Sequence, residues 1–138
     1  FADQPITLRL AAANTYRVWL NGVWFAYGPA RAAHGHLRID EWDLGPALTP
    51  GLNHLAIEVV AYRVNSFATL NAPGCLQAEL VAAGSPLVWT SAASGHFSPG
   101  VLPHRLRRVK RYSYQRAFTE AYRQDPRSDA WRTEGWGE

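Results

Sequence analysis

YRVWLNGVWFAYGPAR, Tyr16 to Arg31, is the stretch that decides the fold. Asn21-Gly22 at its centre is the strongest short-range signal for a two-residue hairpin, because a type I′ turn needs positive φ at both central residues. Such a turn pairs Leu20 with Val23, Trp19 with Trp24, Val18 with Phe25, and Tyr16 with Tyr27. Strand alternation then makes two faces. Tyr16, Val18, Leu20, Val23, Phe25 and Tyr27 form the face assigned to the core. Arg17, Trp19, Trp24 and Ala26 form the other. A half-buried strand needs one apolar face, and this hairpin has two.

Outward from the hairpin, short strand patterns alternate with turn residues. Thr7 to Ala12 reads as a strand. Gly28 to Gly35 is a Gly/Pro/Ala loop, and His36 to Leu44 a short extended segment. Asp43 to Leu52 reads as a turn or short helical link, with Pro50-Gly51 marking a second turn. His54 to Tyr62 sets Leu55, Ile57, Val59 and Ala61 on one face. Leu76 to Ala82 alternates Leu76, Ala78, Leu80 and Ala82 against Gln77, Glu79 and Val81. Pro86 to Thr90 is short and apolar, and Ser91 to Gly100 a polar loop. Arg107 to Tyr114 and Ala117 to Tyr122 read as late strands. Residues 124–138 lack periodicity and read as a linker or the start of a following domain. No amphipathic helix and no repeat is visible. Many short strands between Gly, Pro and Asn turns predict an all-β sandwich over residues 1–123.

Composition sets the bounds. The chain has 138 residues, 47% of them hydrophobic and 18% charged, which suits one domain able to bury a core. No apolar run is long enough to span a bilayer and no leader pattern opens the chain. A chain that begins at Phe1 and carries no Met reads as a domain of a longer protein. Cys75 is the only cysteine, which excludes an internal disulfide and a Cys-rich zinc site and permits the cytoplasm. It reads as a small buried residue. The formal charge of +3 says little about partners by itself.

Several segments together resemble the N-terminal β-sandwich domain of bacterial α-L-rhamnosidases. They are YRVWLNG, GPAR, RIDEWDLGPALTPGLNHLAIEVVAYRVNSF, GCLQAEL and YSYQRAFTEAYR, which occur in the family's order between Tyr16 and Arg123. LNG and L-x-P-G-x-N-x-L recur in the jelly rolls of many glycoside hydrolases. GPAR, then R-x-D-E-W-D-L, then Y-x-V-N-S narrows the resemblance. It implies a galactose-binding-like jelly roll attached to a larger glycosidase. That enzyme would release terminal α-L-rhamnose by inversion, using acidic residues on a separate α/α-barrel far downstream. No segment here matches that barrel, so no catalytic residue carries over. The chain reads as a non-catalytic accessory domain, with an autonomous module for rhamnose-containing glycans as the alternative. The family's domain usually opens with a strand that would precede Phe1, so the resemblance also implies an open sheet edge.

The candidate chemistry is sparse. Glycoside hydrolysis needs two carboxyl groups flanking the bond. Asp40, Glu41 and Asp43 cluster, but Asp43 suits a turn cap. Glu58 and Glu79 on strands read as solvent-facing or paired across the sheet. No spacing calls for calcium, no metal ligand set is evident around His34 and His36, and no nucleotide motif occurs, so no cofactor is expected. HRLRRVKRYSYQR, His104 to Arg116, is basic with interleaved tyrosines. Without a nucleic-acid motif it reads as a surface whose arginines meet carboxylates across an interface with the parent enzyme's other domains. Trp19 and Trp24 beside Arg17 suit a sugar platform, since a pyranose has an apolar face and polar edges. The same patch also suits packing against another part of the protein. Arg31 on the GPAR loop is the first polar candidate, with an ion pair to Asp40 or Asp43 as its structural reading. Asn65 and Ser66 suit a turn held by side-chain bonds. The candidate carbohydrate or interface residues are therefore Arg17, Trp19, Trp24, Arg31 and Asp40.

Overall fold

The computed structural model describes residues 5–90, 96–116 and 118–133. Seven strands run in order: β1 Ile6–Ala13, β2 Thr15–Leu20, β3 Val23–Gly28, β4 Asp40–Asp43, β5 Leu55–Val60, β6 Cys75–Ala82 and β7 Ser85–Trp89. Two 3-10 turns, Gly45–Ala47 and Ala130–Arg132, complete the regular structure of the described residues. All strand pairs are antiparallel, in a four-stranded sheet β4-β1-β6-β7 and a three-stranded sheet β3-β2-β5. The chain crosses between layers after β1, after β3, after β4 and after β5, which makes the expected jelly-roll β-sandwich. Among the described residues no helix is long and apolar enough to cross a membrane.

The core lies between the inner faces. Leu8, Leu10 and Ala12 of β1 and Ala78 of β6 meet Tyr16 and Val18 of β2 and Ala26 of β3, and Leu44 closes one end. Leu55, Ile57 and Val59, together with Leu76 and Leu80, pack against them as the alternation predicts. Asn14, at the step from β1 to β2, ties the layers to the loop after β5. Its backbone N–H donates to the Val60 carbonyl at 2.8 Å, its Oδ1 accepts the Tyr62 N–H at 2.7 Å and its Nδ2 donates to the Leu70 carbonyl at 2.8 Å.

Two sequence expectations need correction. The hairpin turn is type I′-like, with φ of 54° at Asn21 and 77° at Gly22. Leu20 faces Val23 and Trp19 faces Trp24, but Arg17 faces Tyr27 and Tyr16 faces Gly28. The register slips at a bulge between Val18 and Trp19, where Phe25 is the extra residue. One added residue reverses the faces beyond it. Ala26 enters the core, whereas Tyr27 is 69% exposed and Val23 at the turn is 70% exposed. Secondly, Arg107 to Tyr114 forms no strand, and between Ala117 and Tyr122 the described residues hold only the isolated bridge Arg105–Tyr122. Residue 117 and much of the expected 91–100 loop lie outside the described residues.

Candidate functional site

The outer face of the β3-β2-β5 sheet carries Arg17 and Trp19 of β2 and Ala56 and Glu58 of β5. Arg17 lies directly opposite Glu58, and Trp19 opposite Ala56. The chain's own C-terminal third covers this face. Arg105 Nη1 donates to Glu58 Oε1 at 2.6 Å, and Arg17 Nη2 donates to both Glu120 oxygens at 2.7 and 2.8 Å. Arg105 Nη2 also reaches Glu120 at 3.3 Å, and Arg17 Nη1 stands 3.6 Å from Glu58. The Tyr122 hydroxyl donates to Glu120 Oε2 at 3.0 Å and accepts from Arg105 at 3.0 Å. Two guanidinium groups thus neutralise two carboxylates around one hydroxyl. Glu58 is 5% exposed, a burial that only such pairing makes tolerable.

Beside this cluster the two tryptophans part company. Trp19 is 6% exposed. It meets Trp131 edge-to-face at 5.3 Å, with the Arg132 guanidinium 4.4 Å from its ring centre. The Trp131 carbonyl lies 3.0 Å from His54 Nε2, and a Cβ on Gly22 would stand 2.5 Å from Thr133. Residues 131–133 therefore sit directly on the hairpin. Trp24 stays 59% exposed and stacks on Tyr27 at 5.9 Å. Cross-strand opposition does not make the two rings one platform.

Asp40 belongs to a different corner. The Tyr16 hydroxyl donates to its Oδ2 at 2.5 Å, Arg38 Nε donates to its Oδ1 at 3.0 Å, and Trp42 Nε1 donates to the Tyr16 hydroxyl at 2.9 Å. Burial and the Asp40 carboxylate push the Tyr16 hydroxyl well above the usual tyrosine range. Gly28 backs onto this corner, where a Cβ would come within 2.6 Å of the Tyr16 hydroxyl. Arg31 pairs with neither Asp40 nor Asp43. Its Nη2 donates to the Phe67 carbonyl at 2.5 Å on an exposed loop. Asn65 and Ser66 hold that loop: Asn65 Oδ1 accepts the Asn71 N–H at 2.8 Å, and Ser66 Oγ accepts those of Ala68 and Thr69 at 3.1 and 3.0 Å.

The structure therefore does not gather the five sequence candidates into one site. The Arg17 fork is on Glu120, Trp19 is covered, Trp24 is open, Arg31 serves the 65–71 loop and Asp40 anchors Tyr16. Sequence reasoning missed Glu58, Arg105, Glu120 and Tyr122 as a group. The available signal was the placement of Glu58 on the non-core face of its strand, where Arg17 could meet it.

The carboxylates of this face, Glu58 and Glu120, both pair with arginine. A glycosidase acid needs a raised pKa. Burial pushes Glu120 upward, but the Arg17 fork, the Tyr122 hydroxyl and Arg105 outweigh it and hold the group below the usual glutamate range. Asp43 Oδ1 accepts the Gly45 N–H at 2.9 Å, and Glu41 takes Arg9 at 2.7 Å. His36 Nδ1 lies 3.1 Å from the His34 carbonyl, and among the described residues no three His, Cys, Asp or Glu side chains gather as a metal site.

No known family model matches the chain, and no curated protein matches it. A solved structure does. The fold is similar to the family GH78 rhamnosidase of Bacillus sp. GL1, with a TM-score of 0.73 and 28% identity over 87% of this chain. The match spans 12% of that enzyme's chain. By fold, the sandwich is related to one part of a rhamnosidase.

Proposed function

We propose that this chain is a non-catalytic accessory β-sandwich domain of a glycosidase related to the α-L-rhamnosidases, with catalysis performed elsewhere in the longer protein. The observation that carries the reading is the match to a 12% share of a rhamnosidase. The chemistry of the sheet face agrees. Its carboxylates pair with arginine, and Glu120, held below the usual glutamate range, is a poor general acid. The domain's work is then mechanical: it supports the catalytic domain and shapes access to it.

The test compares three proteins on an aryl α-L-rhamnoside: the longer protein that contains this chain, that protein without these residues, and this chain alone. The expected result is hydrolysis by the first, a lower melting temperature or altered KM for the second, and none by the third. Hydrolysis by the chain alone, or none by the longer protein, overturns the reading.

One observation favours a second reading, the autonomous carbohydrate-binding module: the open Trp24–Tyr27 stack. Tryptophan fluorescence during titration with L-rhamnose separates the two. Saturable quenching abolished by Trp24→Ala selects the module, and an unchanged spectrum at millimolar sugar selects the accessory domain.

A further inference from the structure

The segment from Arg107 to Arg116 concentrates cations that no carboxylate answers among the described residues. Between Glu79 and Glu120 the sequence has no acidic residue, while Arg107, Arg108, Lys110, Arg111 and Arg116 fall there. Among the described residues these five make no ion pair, in contrast to Arg17 and Arg105 on the covered face. Arg111 is also held in place. Its guanidinium lies 4.9 Å from the Tyr114 ring centre and 5.3 Å from that of Phe118, and its Nη1 reaches the Asn65 carbonyl at 3.5 Å. Tyr114 meets Phe67 edge-to-face at 5.6 Å, and Phe67 supplies the carbonyl that holds Arg31. Arg116 lies 5.9 Å from the Tyr112 ring centre. Tyr112, Phe67 and Tyr114 are 81%, 60% and 54% exposed. Oriented guanidinium groups thus stand among solvent-facing rings.

We infer that this surface, centred on Arg31, Phe67, Arg111 and Tyr114, docks a polysaccharide that carries carboxylates, that is, a uronate-containing glycan. A guanidinium fork takes a carboxylate in a bidentate pair, and an exposed ring takes the C–H face of a pyranose. A uronate residue presents both on one ring, so one arginine beside one aromatic ring is the smallest set that reads it. The surface shares no residue with the Arg17–Glu58–Arg105–Glu120 cluster or with the Trp24–Tyr27 stack. The choice of a glycan over another polyanion rests on the proposed accessory role, and the polyanion surface itself rests on the geometry above.

The test is calorimetric titration of the chain with a galacturonate oligosaccharide, its neutral methyl ester, and single-stranded DNA of matched charge, each at low and high salt. The expected result is binding of galacturonate that high salt weakens, no binding of the ester, and weaker binding of DNA. Arg111→Ala and Arg31→Ala should each reduce galacturonate affinity about tenfold, the cost of losing a hydrogen bond to a charged group. Because Arg111 also packs on two rings, Arg111→Lys and Arg116→Ala are measured beside it, with melting curves for all. Lysine keeps the charge without the fork and should bind with intermediate affinity. Failure of both polyanions to bind, tighter binding of DNA than of galacturonate, or full affinity in folded Arg111→Ala overturns the proposal. A longer protein that binds galacturonate yet hydrolyses no rhamnoside would instead sink the accessory reading and leave this surface standing.

Discussion

Glu58 shows how one side chain can close a sheet face. It is 5% exposed, and the Arg105 that answers it is distant in sequence. Glu58→Ala removes the shortest of Arg105's contacts and leaves that half-buried guanidinium on Glu120 and the Tyr122 hydroxyl alone, a change that costs about 2–3 kcal/mol. Urea denaturation should show that loss as a lower midpoint with an unchanged slope. A cost below about 0.5 kcal/mol would mean that water already solvates the pair as at an exposed site. Glu120 supplies a pH dependence. Its folded-state pKa lies below the ordinary glutamate value, so the folded state binds its proton less tightly than the unfolded state. The resulting stabilisation is present above the unfolded value of about 4.3 and is lost as pH falls through the lower folded value. Melting temperatures measured from about pH 6 down to about pH 3 should therefore drop most steeply below about pH 4. Glu120→Gln should flatten that limb, and an equally steep limb in this variant would assign the acid sensitivity elsewhere.

At the scale of elements, the hairpin was legible where its chemistry is local and illegible where it is not. Asn21-Gly22 announced the turn because few other dipeptides accept positive φ twice. The bulge at Val18/Trp19 left no comparable mark, and it decides that Ala26 rather than Tyr27 enters the core. The late strands misled for a different reason. Basic residues interrupted by Val109, Tyr112 and Tyr114 make Arg107 to Tyr114 read as a strand, yet the segment is held by side chains, with Arg111 on Tyr114 and Phe118. Alternation reports which residues share a face of an extended chain and says nothing about backbone pairing. The candidate site was less legible still, since its charge cluster joins residues from β2, β5 and the C-terminal third. The two tryptophans, equal in sequence, are unequal in packing, and their substitution measures this. Trp19→Ala should cost about 3–4 kcal/mol, as for other large-to-small changes under a covering layer. Trp24→Ala should stay within about 1 kcal/mol, since most of that ring is already in water. Equal costs would mean that Trp131 does not cover Trp19 in solution.

At the scale of the whole molecule, the described residues form a sandwich of seven strands, and those of the C-terminal third add none yet complete it. Residues 105, 120 and 122 answer the charges on the outer sheet face, and residues 131 and 132 cover its tryptophan. This division of labour predicts a graded response to shortening. A chain ending at residue 123 keeps the Arg17–Glu58–Arg105–Glu120 cluster and loses the cover on Trp19. It should still unfold cooperatively, at a lower temperature, with tryptophan emission shifted to the red. A chain ending at residue 104 keeps all seven described strands yet leaves Glu58 without Arg105 and Trp19 without its cover. That chain should bind a hydrophobic dye, associate with itself and lose its cooperative transition, because Trp19 and its apolar neighbours then face water with nothing packed on them. If instead the chain ending at residue 104 melts as sharply and as late as the full chain, the C-terminal third is an appendage. The second apolar face of the hairpin would then be stable in water, and the reason for its two tryptophans would have to be a ligand.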